Sequence, residues 1–272
     1  MNRTTRGFAL LALAALLAAP ALPARAADKT VRLGVTPGPH AQLADELARL
    51  GAKHGLQIKV VEISDYAVPN QALDAGDLDA NSFQNPPYLN DQMKTRGYKL
   101  SAVGKTILLP MGVYSKKIKR VAELRDGAQI AVPNDPTNEA RALKLLQSAK
   151  LLKLRSDGGF IIGLSDITDN PKHLQIRELN AAQTPRALDD VDAAVINGNY
   201  AATAGLTPNH DAIVAEGGGV GEALRSPYSN VIAVRSADRD QPWVKQLVAL
   251  YHSSDMRGYI LRHFGGSIYP AF

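Results

Sequence analysis

The sequence predicts an α/β fold of two lobes, each a mixed sheet flanked by helices, joined by two crossing segments into a clamshell. Short apolar runs of strand character alternate with helical patterns from residue 30 to the end of the chain. Polar and aromatic clusters follow where these predicted strands end. Since open α/β sheets bind ligands beyond the carboxyl ends of their strands, the clusters predict one shared cleft.

The first 26 residues have the pattern of a cleaved signal peptide. Arg3 and Arg6 precede an apolar run over 8–22, and the run is followed by Ala24-Arg25-Ala26. A transmembrane anchor is the alternative, but the run is too short to span a bilayer. We expect cleavage near Ala26/Ala27 and export to the periplasm. The sequence has no cysteine, so we expect neither a lipid on an N-terminal cysteine nor a disulfide.

Charge and composition exclude few functions. The formal net charge is +5, and three of the basic residues lie in the predicted signal peptide, which has no acidic residue. The near-neutral remainder gives no support for nucleic-acid binding. The six histidines lack metal-ligand spacing, and no phosphate-binding or nucleophile-elbow motif is complete. We expect no metal, no cofactor and no enzymatic activity, with an exported enzyme as the less favoured alternative.

Lobe I is predicted over 27–113 plus 230–272. Strands over 30–35 and 56–63 enclose a helix over 41–50, which makes a right-handed βαβ unit. A brief strand over 76–81 is expected at a sheet edge, followed by a helix over 88–96 and strands over 100–103 and 108–114. A return strand over 231–234 and one long helix over 243–264 complete the lobe.

Lobe II is predicted over 114–229, with crossing segments near 112–116 and 226–231. A strand ending at Val132 is followed by Asp135 as N-cap and Pro136 at the first helical position. Strands are also expected over 174–178 and 192–196, and a helix over 181–188 interrupted by Pro185.

Arg141 is the candidate anchor for an anion. It lies three residues after Asn138, which belongs to the first turn of the predicted helix, where free N–H groups and the helix dipole attract anions. Its guanidinium adds a planar fork that matches a carboxylate. A solvated surface arginine is the alternative, and convergence with the other polar clusters is what favours a binding site.

Several motifs lie at the strand ends and turns: Asp65-Tyr66-x-x-Pro69-Asn70, Gly76-Asp77-x-Asp79-Ala80-Asn81-x-Phe83-Gln84, Pro87-Tyr88-Leu89, Ala131 to Arg141, Ala194 to Asn197, and Ser226-Pro227-Tyr228-x-Asn230. Together they resemble the MetQ/NlpA family of substrate-binding proteins over essentially the whole mature chain. The resemblance implies the two-lobed periplasmic-binding-protein fold. It also implies delivery to the permease and ATPase of an ABC importer, usually with methionine as ligand. We expect a monomer.

The resemblance also implies roles for particular residues. Arg141 would bind the ligand carboxylate, and Asn197 and Asn230 would bond the amino and carboxylate groups. The expected binding residues are Tyr66, Phe83, Asn85, Tyr88, Asn138, Arg141, Asn197, Tyr228 and Asn230. Many relatives have histidine where this chain has Asn85, so a methionine derivative, a dipeptide or another amino acid is the alternative ligand.

Overall fold

The computed structural model describes residues 29–155 and 159–272. The predicted signal peptide and its cleavage site therefore lie outside the described residues. Within the described part, no helix has the length and apolar character needed to cross a membrane.

The first sheet has five strands. In spatial order they are Gln57–Glu62, Thr30–Val35, Ala80–Gln84, Val231–Arg235 and Leu100–Lys105. The first three are parallel to one another, and Val231–Arg235 is antiparallel to both of its neighbours. The predicted βαβ unit is confirmed, with helix Pro39–Lys53 as its crossover.

Strand Ala80–Gln84 lies third of five strands, so the expectation of an edge strand over 76–81 is wrong. The polar side chains of this strand bond to one another and to Asn70 in the interior. Gln84 and Asn70 exchange amide hydrogen bonds of 2.7 and 2.6 Å, and Asn81 donates to Asn70 Oδ1 at 2.9 Å. Because each buried amide has partners, the strand can be fully buried despite its composition.

The second sheet also has five strands. Their spatial order is Gln175–Leu179, Gln129–Pro133, Ala193–Ile196, Gly112–Tyr114 and Ala212–Ala215. The first three are parallel, and the last two run antiparallel to their neighbours. Two mixed sheets flanked by helices confirm the predicted fold class. Two short pairings accompany them: Ile107–Leu108 with Tyr269–Pro270, and Lys153–Leu154 with Ile167–Asp169.

Helices cover both faces of each sheet. On the first sheet, one apolar core involves Pro39–Lys53, Pro242–Tyr251 and Ser254–His263, and a second involves Val68–Ala75 and Pro86–Arg96. On the second sheet, the cores involve Pro136–Ser148 and Gly198–Thr203. Helix Val220–Arg225 packs beside the 269–270 strand. Short 3₁₀ segments are Val121–Glu123, Leu164–Asp166, Ala181–Gln183, Arg186–Asp189 and Ser236–Asp238.

Two predicted helices differ from the structure. The helix expected over 243–264 is two helices, because Ser253 begins the second one by accepting a hydrogen bond from Met256 N at 3.2 Å. The helix expected over 181–188 is a pair of 3₁₀ turns on either side of Pro185. In both cases apolar residues recur at helical spacing on either side of the position where a cap or a proline ends the helix.

The division into lobes, 27–113 plus 230–272 and 114–229, stays a prediction. Gly112–Tyr114 belongs to the second sheet, so we propose that the first boundary falls before Gly112. The two sheets are in direct contact through the segment 64–66. Tyr200 Oη donates to Ser64 O at 2.8 Å, and Asn180 Nδ2 donates to Asp65 Oδ2 at 2.9 Å.

Candidate functional site

A cavity lies where the carboxyl ends of the two sheets face each other. The space within it that no protein atom fills measures about 350 Å³, part of which opens to solvent. It is lined by Tyr66, Phe83, Gln84, Asn85, Tyr88, Leu109, Asn138, Arg141, Asn197, Gly198, Asn199 and Asn230. Eight of the nine expected binding residues are in this set. The ninth, Tyr228, contacts Arg141 from outside it.

Three aromatic side chains form one wall. The Tyr66 ring lies 5.8 Å from Phe83 and 5.9 Å from Tyr88, and Phe83 lies 6.0 Å from Tyr88. Tyr88 Oη donates to Tyr66 O at 3.0 Å, and Tyr66 Oη donates to Asn199 Oδ1 on helix Gly198–Thr203, across the cavity. Burial raises the pKa of Tyr66 well above its usual value, so its hydroxyl is a neutral donor. The rings therefore form an apolar surface, and the hydrogen bonds of the two tyrosine hydroxyls fix their orientation.

Arg141 is buried and held by contacts from three directions. Its Nε donates to Glu216 Oε1 at 2.7 Å, and its Nη2 donates to Glu216 Oε2 at 2.5 Å and to Leu109 O at 3.1 Å. The ring of Tyr228 lies 4.4 Å from the guanidinium carbon, within cation–π range. Desolvation lowers the pKa of Arg141, and the Glu216 carboxylate more than offsets this, so the pKa is raised overall.

The planar fork expected to bind a ligand carboxylate is therefore paired with Glu216. Nε and Nη2 form the edge that a bidentate partner uses, and both are engaged. Among the described residues, Nη1 makes no hydrogen bond to the protein, so it is the nitrogen that can bind a ligand. The sequence placed Arg141 at the cavity, and the structure shows that the Nε and Nη2 edge of its guanidinium already bonds Glu216.

A chain of amides orients Asn197. Asp135, the predicted N-cap, accepts from Asn138 Nδ2 at 3.0 and 2.9 Å, and Asn138 Oδ1 accepts from Asn197 Nδ2 at 2.8 Å. The direction of this chain leaves Asn197 Oδ1 as a buried acceptor that has no partner among residues 29–155 and 159–272. A buried acceptor of this kind matches an ammonium group.

His40 orients Asn230 in the same way. Asn230 Nδ2 donates to His40 Nε2 and to Phe83 O, both at 3.1 Å. Burial lowers the pKa of His40 to about 4, so the ring is neutral and its Nε2 accepts. With both amide protons engaged, Asn230 Oδ1 is left as a second acceptor on the cavity wall.

In the structure the first crossing segment is 109–111, between strands Ile107–Leu108 and Gly112–Tyr114, and Gly198 allows helix Gly198–Thr203 to approach it. A Cβ atom at this position would lie 2.7 Å from Leu109 Cβ and 2.8 Å from Pro110 O. Because such distances do not occur between packed atoms, any side chain here would push the two walls of the cavity apart.

The cavity therefore combines an aromatic wall, one guanidinium and two amide acceptors. No cluster of three or more possible metal ligands occurs in the described part of the chain. The sequence profile of the NlpA lipoprotein family matches residues 31–272. The chain belongs to the NlpA lipoprotein family.

Several relatives are similar over nearly their whole length. The D-methionine-binding lipoprotein MetQ of Escherichia coli K12 is 45% identical over 239 residues, which cover 87% of this chain and 86% of that protein. A nutrient-binding protein from Burkholderia cenocepacia, solved bound to methionine, is 50% identical with a TM-score of 0.84, covering 89% of this chain and 100% of that one. A periplasmic substrate-binding protein of an ABC transporter from Coxiella burnetii is 46% identical, with a TM-score of 0.83 and coverages of 89% and 100%.

NlpA family membership confirms the predicted resemblance, and it agrees with the prediction that the chain binds rather than transforms its ligand. Asn85, where the resemblance led us to expect histidine, has a structural role as well as a place on the wall. Its Oδ1 accepts from Tyr88 N at 3.1 Å and so caps helix Pro86–Arg96.

Sequence reasoning missed Glu216, His40 and Asn199 as parts of this NlpA-family site. Asn199 lies two residues after Asn197, an expected binding residue, so its type and position are a signal that the sequence contains. Glu216 comes directly after strand Ala212–Ala215, and His40 is the second residue of helix Pro39–Lys53. Both follow the ends of strands, but a single carboxylate or histidine at such a place has no spacing that marks it.

Proposed function

We propose that this protein captures methionine, or a closely related α-amino acid, between its two sheets for an ABC importer. The observation that carries the proposal is the cavity itself, which combines a guanidinium and an aromatic wall with the amides of Asn197 and Asn230. Asn197 Oδ1 is buried and has no partner among residues 29–155 and 159–272. A zwitterion needs one cation and several neutral acceptors, and a thioether gains about 0.3–1.5 kcal/mol from aromatic contact.

The groups of the ligand have an obvious assignment. The carboxylate binds Arg141 Nη1, and the ammonium binds Asn197 Oδ1 and Asn230 Oδ1. The thioether chain lies against the wall of Tyr66, Phe83 and Tyr88. The methionine bound to the Burkholderia cenocepacia relative supports this choice of ligand.

Binding is proposed to favour a closed arrangement of the lobes. Arg141 and Asn197 come from the second sheet's side of the cavity, whereas Asn230 and the aromatic wall come from the first. A ligand that contacts both sides stabilises the state in which they are close. Direct hydrogen bonds across the cleft, such as that from Tyr66 Oη to Asn199 Oδ1, also stabilise the closed state.

Calorimetric titration tests the ligand. L-methionine, D-methionine, glycylmethionine and leucine should be titrated into the purified mature protein, with the radius of gyration from small-angle scattering measured with and without each. We expect saturable binding of a methionine enantiomer, weaker binding of leucine, and compaction on binding. If none of the four binds, the ligand assignment is refuted; if one binds without compaction, closure is refuted.

A matched pair of variants ties binding to the cavity. Asn197→Ala removes the buried acceptor, and we expect it to weaken methionine binding by at least about tenfold, the value of one hydrogen bond to a charged group. Asn90→Ala changes an exposed asparagine on helix Pro86–Arg96 and should leave the affinity unchanged. Equal affinities in both variants would place the ligand elsewhere.

We also propose that the exported protein is free in the periplasm as a monomer and docks on a membrane permease with its ATPase. Support comes from the signal pattern over 1–26 and from a sequence without cysteine, the residue that carries the lipid in a lipoprotein. Intact-mass measurement of the exported protein should give the mass of a chain beginning near Ala27. A mass increased by an acyl group would contradict the absence of a lipid. Sedimentation of the protein as an oligomer would contradict the prediction of a monomer.

A further inference from the structure

We infer that Glu216 positions Arg141 and sets the charge of the ligand that the cavity accepts, favouring a zwitterion over an anion. The inference rests on the proposed function and concerns the same site. It comes from a carboxylate that does not line the cavity but pairs with Arg141, the one charged residue among the described lining residues.

Glu216 is held in place by hydrogen bonds that do not involve Arg141. Its backbone N–H donates to Met111 O at 3.0 Å, and its Oε2 accepts from Met111 N at 2.9 Å. Glu216 thus continues the pairing of strand Ala212–Ala215 alongside the first crossing segment. Because the carboxylate is held by the backbone, the position of the guanidinium is fixed relative to that segment rather than to its own helix alone.

The same guanidinium contacts both crossing segments. Leu109 O, on the first crossing, accepts from Nη2, and the Tyr228 ring of the second crossing lies 4.4 Å from the guanidinium carbon. Glu216 supplies the two strongest of these contacts, since both are charge-assisted. Arg141 is therefore held in one orientation, which leaves Nη1 as the nitrogen without a hydrogen-bond partner among the described residues.

The pairing also neutralises the cavity. Arg141 is 5% exposed and the Glu216 side chain is 20% exposed, so little water screens the pair. His40 is neutral, and Asp135, Asp65 and Asp91 are further carboxyls close enough to act on the wall residue Tyr88. With its cation already balanced, the cavity offers a hydrogen bond to a carboxylate but no surplus positive charge.

A zwitterion and an anion meet this arrangement differently. A zwitterion has no net charge, and its ammonium satisfies the acceptors of Asn197 and Asn230. A monoanion without an ammonium brings an unbalanced charge and fewer donors for those acceptors. If the Glu216 carboxylate were removed, Arg141 would carry surplus charge, and the anion would gain relative to the zwitterion.

The test compares two ligands that differ in one group. L-methionine is the zwitterion, and 2-hydroxy-4-(methylthio)butanoate is its near-isosteric monoanion, with hydroxyl in place of ammonium. Their dissociation constants should be measured at pH 7 for the wild type, Glu216→Gln, Glu216→Ala and Glu222→Gln. Glu222 is the matched control, because it is an exposed carboxylate six residues away that pairs with Arg225 on the surface.

We expect the wild type to prefer methionine, and the preference ratio to fall by about tenfold or more in Glu216→Gln. Glu216→Ala should lower the ratio similarly, which gives a second reading if the glutamine variant does not fold. Glu222→Gln should keep the wild-type ratio. A purely structural role would weaken both ligands equally and leave the ratio unchanged, and that result would overturn the inference.

The other outcomes separate the inference from the proposed function. If wild type binds methionine and both Glu216 variants keep its ratio, only the role of Glu216 is refuted. If Glu222→Gln shifts the ratio as much, the effect belongs to the overall charge and the inference is again refuted. If wild type does not bind methionine, the proposed function fails and the role of Glu216 fails with it.

Discussion

Replacing Arg141 by alanine is expected to damage both stability and binding, since the guanidinium has partners in the protein as well as in the proposed ligand. The variant leaves the Glu216 carboxylate with Met111 N as its remaining described partner and removes the donor to Leu109 O. Breaking a buried ion pair from one side costs about 3–5 kcal/mol. Because the Glu216 side chain is 20% exposed, we expect the lower end, about 3 kcal/mol of unfolding free energy.

The loss of methionine affinity has a different origin from the loss of stability. Nη1 is the nitrogen left for the ligand, and one charge-assisted hydrogen bond contributes about 1.5–3 kcal/mol. We therefore expect Arg141→Ala to weaken methionine binding by about ten- to a hundredfold. Arg141→Lys should recover little, because an ammonium cannot bond Glu216, Leu109 O and the ligand in the same plane.

A double variant separates the two effects. Arg141→Met with Glu216→Gln keeps similar volumes and leaves no unpaired buried charge, and replacements of this kind are often neutral in stability. We expect urea denaturation to show most of the lost stability restored, while calorimetry shows binding still weakened. Arg177→Ala, at an exposed arginine of the second sheet, is the control for both assays.

Two results would refute this reasoning. Full methionine affinity in Arg141→Ala would show that the guanidinium is not the anchor. If the double variant is as unstable as Arg141→Ala, the destabilisation does not come from the unpaired Glu216 carboxylate.

Two further predictions concern pH. The pKa of His40 is lowered to about 4 by burial, so its contribution to stability is present above the unfolded value of 6.5 and is lost as the pH falls toward 4. The loss of unfolding free energy is up to about 3 kcal/mol. In urea denaturation between pH 7 and 4.5, His40→Gln should make the unfolding free energy depend less on pH. The pKa of Glu139 is raised to about 7 by burial and by Glu178, so stability is lost as the pH rises from 4.5 through 7. Glu139→Gln should therefore be more stable than wild type at pH 8, whereas the exposed control Glu62→Gln should not, and equal stability at pH 8 would contradict the assignment.

The sequence by itself determined the alternation of strands and helices and the places where the strands end. Those features depend on periodicities of two and 3.6 residues and on local signals such as Asp135 and Pro136 at a helix start. Because parallel strands bring their carboxyl ends to one edge, the polar and aromatic clusters at those ends predicted one shared cleft. The nine expected binding residues came from the family resemblance, and eight of them line the cavity.

The tertiary structure decided which groups those residues bond. Arg141 and Glu216 are 75 positions apart, and Asn230 and His40 are 190 positions apart. No local pattern links residues at such separations, so the engaged edge of the guanidinium and the free oxygens of the amides could not be read from the chain. The central place of strand Ala80–Gln84 has the same cause, since its polar residues can be buried only where Asn70 of a separate helix completes their hydrogen bonds.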